Sequence, residues 1–123
     1  MLFLAAALLI AVTAMHSILG ELRLIGPILR IENLPVILGS RRNTRATIRI
    51  AWHLTSLFWL CLAALLVRLQ LGTGDLAVWF LWSVTAAFAL SGAAALIVSR
   101  GRHLSWVFFL PIAVLCGTYA AGL

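Results

Sequence analysis

Four apolar runs, Leu2–Leu19, Ile48–Leu71, Leu76–Val98 and Leu104–Leu123, are separated by three polar interruptions. Each run is close to the roughly 20 residues that let an α-helix cross a bilayer core. Two interruptions are short and turn-like. Gly72–Thr73–Gly74–Asp75 predicts a tight antiparallel hairpin of the second and third runs, and Ser99–His103, with Gly101, predicts one of the third and fourth. The first interruption, Glu21–Thr47, is 27 residues long and sets Leu22, Leu24, Ile25, Ile28 and Leu29 among its charges. It is too apolar for a solvated linker, and Pro27 and Pro35 break it before it can span. An interfacial segment at headgroup depth is expected. The pattern predicts an all-α four-helix transmembrane bundle, one domain over residues 1–123, with a long interfacial first loop.

The third run carries small residues at helical spacing, among them Ser91, Gly92 and Ala95, so it is the expected packing helix, either within the bundle or between the subunits of a homo-oligomer. Pro111 predicts a kink in the fourth. Trp52 and Trp106 mark one interface and Trp79 and Trp82 the other, while Trp59 lies deeper.

Composition sharpens the membrane reading. Of 123 residues, 64 % are hydrophobic and 10 % charged, and the mean hydropathy is +1.15. A soluble domain of this size needs more polar surface than that. The first run lacks the basic n-region of a signal peptide and reads as a retained helix. Cys61 and Cys116 sit inside separate runs without a C-x-x-C, and read as small buried hydrophobes at one depth.

All nine basic residues are arginine. Alternating crossings put Arg23, Arg30, Arg41, Arg42, Arg45, Arg49, Arg100 and Arg102 on one side and leave Arg68 on the other. The positive-inside rule makes the arginine-rich side cytoplasmic and puts both termini outside. The net charge of +6 does not point to nucleic acid, because no soluble face is left to hold a duplex. Anionic lipid headgroups or the carboxylates of a cofactor suit guanidinium forks better.

All three histidines fall near that same face. Ionisable groups just inside an apolar span usually face the bundle interior, and His16 and His53 lie at matching depths. Arg45, Arg49 and His53 follow at i, i+4, i+8, so one helix face runs from two guanidiniums to an imidazole. Glu21 stands five residues beyond His16, about 140° around a regular helix. It joins His16 only if Gly20 ends or bends the helix; otherwise its partner is Arg49 or another arginine.

Two ligand chemistries match this set. In a haem b site, His16 and His53 are the axial ligands and Arg49, Arg45 and Arg102 hold the propionates. In a bare metal site, His16, His53, Glu21 and His103 bind zinc, copper or iron. Haem, copper or iron at such a site leads to an expectation of electron transfer or redox chemistry. The alternative is a non-catalytic membrane protein that binds anionic lipid or partner membrane proteins through its arginine-rich face.

The pattern His16-Ser17-x-x-Gly20-Glu21 followed by Arg49-x-x-Trp52-His53-x-x-Ser56 resembles that of a family of small bacterial four-helix membrane proteins. The resemblance covers His16 to Ser56. It implies an inner-membrane location and residues that act together, and it names no ligand. Small multidrug transporters are similar only in size: their mid-membrane carboxylate in the first helix has no counterpart in Ala5–Val12.

Overall fold

The computed structural model describes residues 1–72 and 74–123; Thr73, read above as part of a turn, lies outside the described residues. Helix α1 (Leu2–Gly20) runs without a break into a π-helical turn (Glu21–Ile25) and a short helix α2 (Gly26–Leu29). Helices α3 (Arg41–Leu71), α4 (Leu76–Ser99) and α5 (Trp106–Ala121) follow, with no strand among the described residues. Three rods, Leu2–Leu29, Arg41–Leu71 and Leu76–Ser99, are long and apolar enough to cross a membrane. The fourth, α5, is apolar but has only 16 residues.

The first interruption is mostly helical rather than a long loop. Gly20 keeps helical angles (φ −61°, ψ −45°), and the chain widens one turn later, where the Gly26 N–H bonds to Glu21 O, five residues back. The cause is Pro27. A proline inside a helix has no N–H, and its ring meets the carbonyl four residues earlier, here Arg23. A π turn opens the space without ending the helix. Gly26 is required there, because a Cβ would lie 2.7 Å from Glu21 O.

Helix α3 begins at Arg41, ahead of the apolar run that starts at Ile48. Its start is held by polar bonds that hydropathy cannot register. Ser40 caps it by accepting the Asn43 N–H at 3.2 Å. Thr44, only 1 % exposed, donates to Pro35 O at 2.7 Å and accepts the Ile37 N–H at 2.9 Å. Asn43 Nδ2 donates to Leu38 O at 2.8 Å. Residues 30–40 are thereby tied to α3. At the other end of the chain, Arg100 and Gly101 close α4 with positive φ. The Trp106 indole then donates to Gly101 O at 3.1 Å, and Leu104 and Ser105 are drawn into the turn before α5.

The helices pack in chain order, α1 on α3, α3 on α4 and α4 on α5, as a row rather than a closed bundle. Leu2 N–H reaches Gln70 Oε1 at 3.0 Å, which joins the start of α1 to the end of α3 and makes the pair antiparallel. The small residues of α4 are used inside the chain: Ala87, Ser91, Gly92 and Ala95 are buried. A Cβ on Gly92 would stand 2.7 Å from Leu110 Cδ2 and 3.2 Å from Leu110 N. Of the two uses expected for this stripe, Gly92 shows packing within the chain, against α5. The buried apolar set is small (Ala6, Ile25, Leu29, Ala63, Ala87, Ala95, Ala113, Ala120), while Leu4, Leu8, Phe108 and Leu115 face outward. Close approach through small residues, with large apolar groups outside, is how helices pack in lipid.

Candidate functional site

The seam between α1 and α3 collects most of the polar side chains singled out in the sequence. On the rod formed by α1 and the π turn, Ser17 and Glu21 are four residues apart and share a face; on α3, Arg49 and His53 do the same, with Ser56 three residues further on. The antiparallel pairing meshes these two ladders. Arg49 Nη2 meets Glu21 Oε1 at 2.8 Å, and His53 Nε2 meets Glu21 Oε2 at 3.3 Å. His53 Nδ1 lies 3.1 Å from Ser17 Oγ, Ser17 Oγ donates to Ser56 Oγ at 2.7 Å, and Ser56 Oγ lies 3.1 Å from His16 Nδ1. One unbroken chain of hydrogen bonds thus runs from Arg49 to His16. Within apolar helices such polar groups are stable because every step has a partner.

Aromatic rings enclose the inner end of this chain. The His16 ring stacks on Trp52, centroids 4.1 Å apart and planes 7° from parallel, and meets the edge of Trp59 at 4.9 Å. Trp52 Nε1 donates to His16 O at 3.1 Å. Gly20 makes this possible, since a Cβ there would lie 2.7 Å from Trp52 Cζ2 and Nε1.

At its outer end, Glu21 opens onto a recess of about 450 Å³ between the π turn and α3. Arg30, Arg45 and Arg49 line it with Glu21, and Leu22, Gly26 and Leu29 supply its apolar part. Three guanidiniums against one carboxylate leave a surplus of two positive charges. Arg45 Nε is buried there without a hydrogen-bond partner among the described residues. A smaller recess of about 120 Å³ between the start of α3 and the end of α4 includes Arg42, Arg100 and Arg102.

The expected site set is therefore divided. His16, His53, Glu21, Arg49 and Arg45 lie along the seam and its recess, whereas Arg102 donates to Leu38 O at 3.5 Å. His103 is bonded to Ser105, Nδ1 to Oγ at 2.7 Å, and lines an apolar cleft between α3, α4 and α5. The arrangement does not fit a bis-histidine haem. Both ring nitrogens of His53 are engaged, by Ser17 and by Glu21, and serines link the two imidazoles where a porphyrin would have to pass. The four-residue metal set is not assembled either. Among the described residues no three or more His, Cys, Asp or Glu side chains are grouped to hold a metal ion.

Glu21 pairs with Arg49 and His53, not with His16. The Arg49 pairing is the one expected where Gly20 leaves the helix unbroken; the i, i+4 relation of Glu21 to Ser17 is a further one that the sequence carries. Ser17 and Ser56, quoted there only as parts of a pattern, are the central links of the chain. Comparison with protein-family models, with curated proteins and with solved structures finds no match for this chain.

Proposed function

We propose that this is a multi-pass inner-membrane protein that binds the phosphate of an anionic lipid headgroup in the recess formed by Arg30, Arg45 and Arg49. The observation that carries this reading is the recess itself: three arginines, an apolar flank of Leu22 and Leu29, and an unpartnered guanidinium nitrogen on Arg45. Guanidinium forks hold phosphate oxygens through paired, charge-assisted bonds. The rod Leu2–Leu29 has 28 residues, about 42 Å at 1.5 Å per residue, which exceeds a hydrocarbon core of roughly 30 Å. Its final turns, with the recess, then belong to the headgroup zone. The eight-arginine side faces the cytoplasm in this reading. The haem and metal readings receive no support of this kind from the side-chain arrangement.

Lipid retention tests it. Protein reconstituted in vesicles of phosphatidylcholine with phosphatidylglycerol is re-extracted, and the retained lipid is identified by mass spectrometry. The wild type is expected to enrich the anionic lipid, and the Arg30→Ala/Arg45→Ala double variant to lose at least about tenfold of that enrichment, since each charge-assisted contact contributes about 1.5–3 kcal/mol. Displacement by millimolar inorganic phosphate alone would make free phosphate the ligand. Equal retention of neutral and anionic lipid would overturn the reading.

A further inference from the structure

We propose that Ser17, His53 and Glu21 form a nucleophilic centre that cleaves carboxylic esters, with the acyl ester of a phosphate-bearing lipid as its substrate class. The choice of a lipid ester rests on the headgroup reading above; the nucleophile does not. Activation of a serine hydroxyl requires a base within hydrogen-bond reach, itself oriented by a third group. Here Glu21 Oε2 is 3.3 Å from one ring nitrogen of His53, and Ser17 Oγ is 3.1 Å from the other. With the imidazole proton at Nε2, on the carboxylate, the Nδ1 lone pair faces Ser17 and can take its hydroxyl proton once that hydroxyl turns from Ser56. The Ser17 hydroxyl donates to Ser56 Oγ at 2.7 Å, and its rotor has His53 Nδ1 as a second acceptor. When it turns, the Ser56 hydroxyl can return the bond to Ser17 Oγ.

A structural clamp between two helices needs only the Ser17–Ser56 bond. The imidazole–carboxylate pair on the same hydroxyl is what a clamp does not require and a nucleophile does. Its twin, Ser56 with His16, differs on both counts. No carboxylate contacts the His16 ring among the described residues, and Ser56 is only 5 % exposed, whereas Ser17 is half-buried. Ser17 is therefore the nucleophile, His53 the general base and Glu21 the positioning residue.

Glu21 also joins this centre to the arginine recess. Ser17 lies one helical turn inward from Glu21, roughly 6 Å at 1.5 Å per residue. A lipid whose phosphate sits among the arginines has its glycerol esters on the apolar side of that phosphate, at the level of Ser17. Attack forms a bond from Ser17 Oγ to the ester carbonyl carbon while His53 Nδ1 takes the hydroxyl proton. Collapse breaks the ester C–O bond, and His53 passes the proton to the departing alcohol oxygen. Water, giving a proton to His53, then attacks the acyl carbon. The fatty acid leaves, and the proton returns to Ser17 Oγ. One ester and one water become one acid and one alcohol.

The test is labelling of the full-length protein in detergent micelles with a biotinylated alkyl fluorophosphonate, native against heat-denatured, with the adduct located by mass spectrometry. One adduct on Ser17, absent after heating, is the expected result. In variants shown to be folded by circular dichroism, His53→Gln is expected to slow labelling by about 100-fold or more. Glu21→Gln should slow it less, with partial rescue by Glu21→Asp, which a purely structural carboxylate would not give. Native wild-type protein that takes no label, or takes it on Ser56, overturns the proposal without recourse to any variant. Labelling without anionic-lipid retention removes the headgroup reading and leaves the nucleophile; retention without labelling does the reverse.

Discussion

Two uncharged residues hold structure on which the site depends, one in the seam and one at the start of α3. Gly20 lets Trp52 lie against α1, and Trp52 in turn covers the His16 ring and bonds its carbonyl. Gly20→Ala inserts a Cβ where the indole now lies, so the ring must leave its stack. The expected cost is about 1–3 kcal/mol, the usual range for overpacking, with a red shift of tryptophan emission as the indole is displaced. Thr44 is the second. Its hydroxyl serves two backbone groups of the preceding loop, Pro35 O and the Ile37 N–H, in nearly complete burial. Thr44→Val should lower stability by about 2 kcal/mol, because buried backbone groups lose their partner. Thr44→Ser should retain most of it, as read by thermal unfolding in detergent. The sequence made His16, His53, Glu21 and the arginines visible because charge inside an apolar chain is conspicuous. It hid the partners of Thr44, Ser17 and Ser56, because a hydroxyl in a helix shows no partner until the neighbouring chain is beside it.

Among the elements, the π turn matters most to the recess. The four apolar runs predict four spanning helices; three are long and apolar enough to cross, while the fourth, α5, has 16 residues. The ends were not legible by the same means. Pro27 reads as a helix breaker, yet Gly26 beside it permits a widened turn, and the rod continues to Leu29. Arg41 to Thr47 read as loop because they are polar, although a cap at Ser40 makes them the first turns of α3. Gly26→Ala tests the turn directly. The added Cβ meets the Glu21 carbonyl, and backbone cannot swing aside as a side chain can. Hydrogen exchange over residues 21–29 should accelerate, and anionic-lipid retention should fall with it, while α4 and α5 keep their protection. At the opposite seam, Gly92→Val should force α4 and α5 apart, since the Leu110 backbone stands behind the Leu110 side chain. A loss of about 1–3 kcal/mol, measured by thermal unfolding, is expected.

Across the whole molecule, the ends of the row differ in charge. Eight arginines lie at the end formed by the π turn, the start of α3 and the α4–α5 link, and Arg68 at the other, stacked 4.0 Å over Trp79. A phosphatase reporter fused after Leu123 should be active in bacterial cells, and a fluorescent-protein fusion at the same point dark, if the arginine-rich end faces the cytoplasm. The reverse pattern would invert the orientation and put the recess on the outer side. Packing in a row also makes α1 a terminal plank, attached along one side chiefly to α3. That attachment is a string of directional polar contacts with few large apolar groups buried beneath it. A chain joined this way can be divided: residues 1–32 and 33–123, expressed as separate polypeptides, should find each other in the bilayer and co-purify.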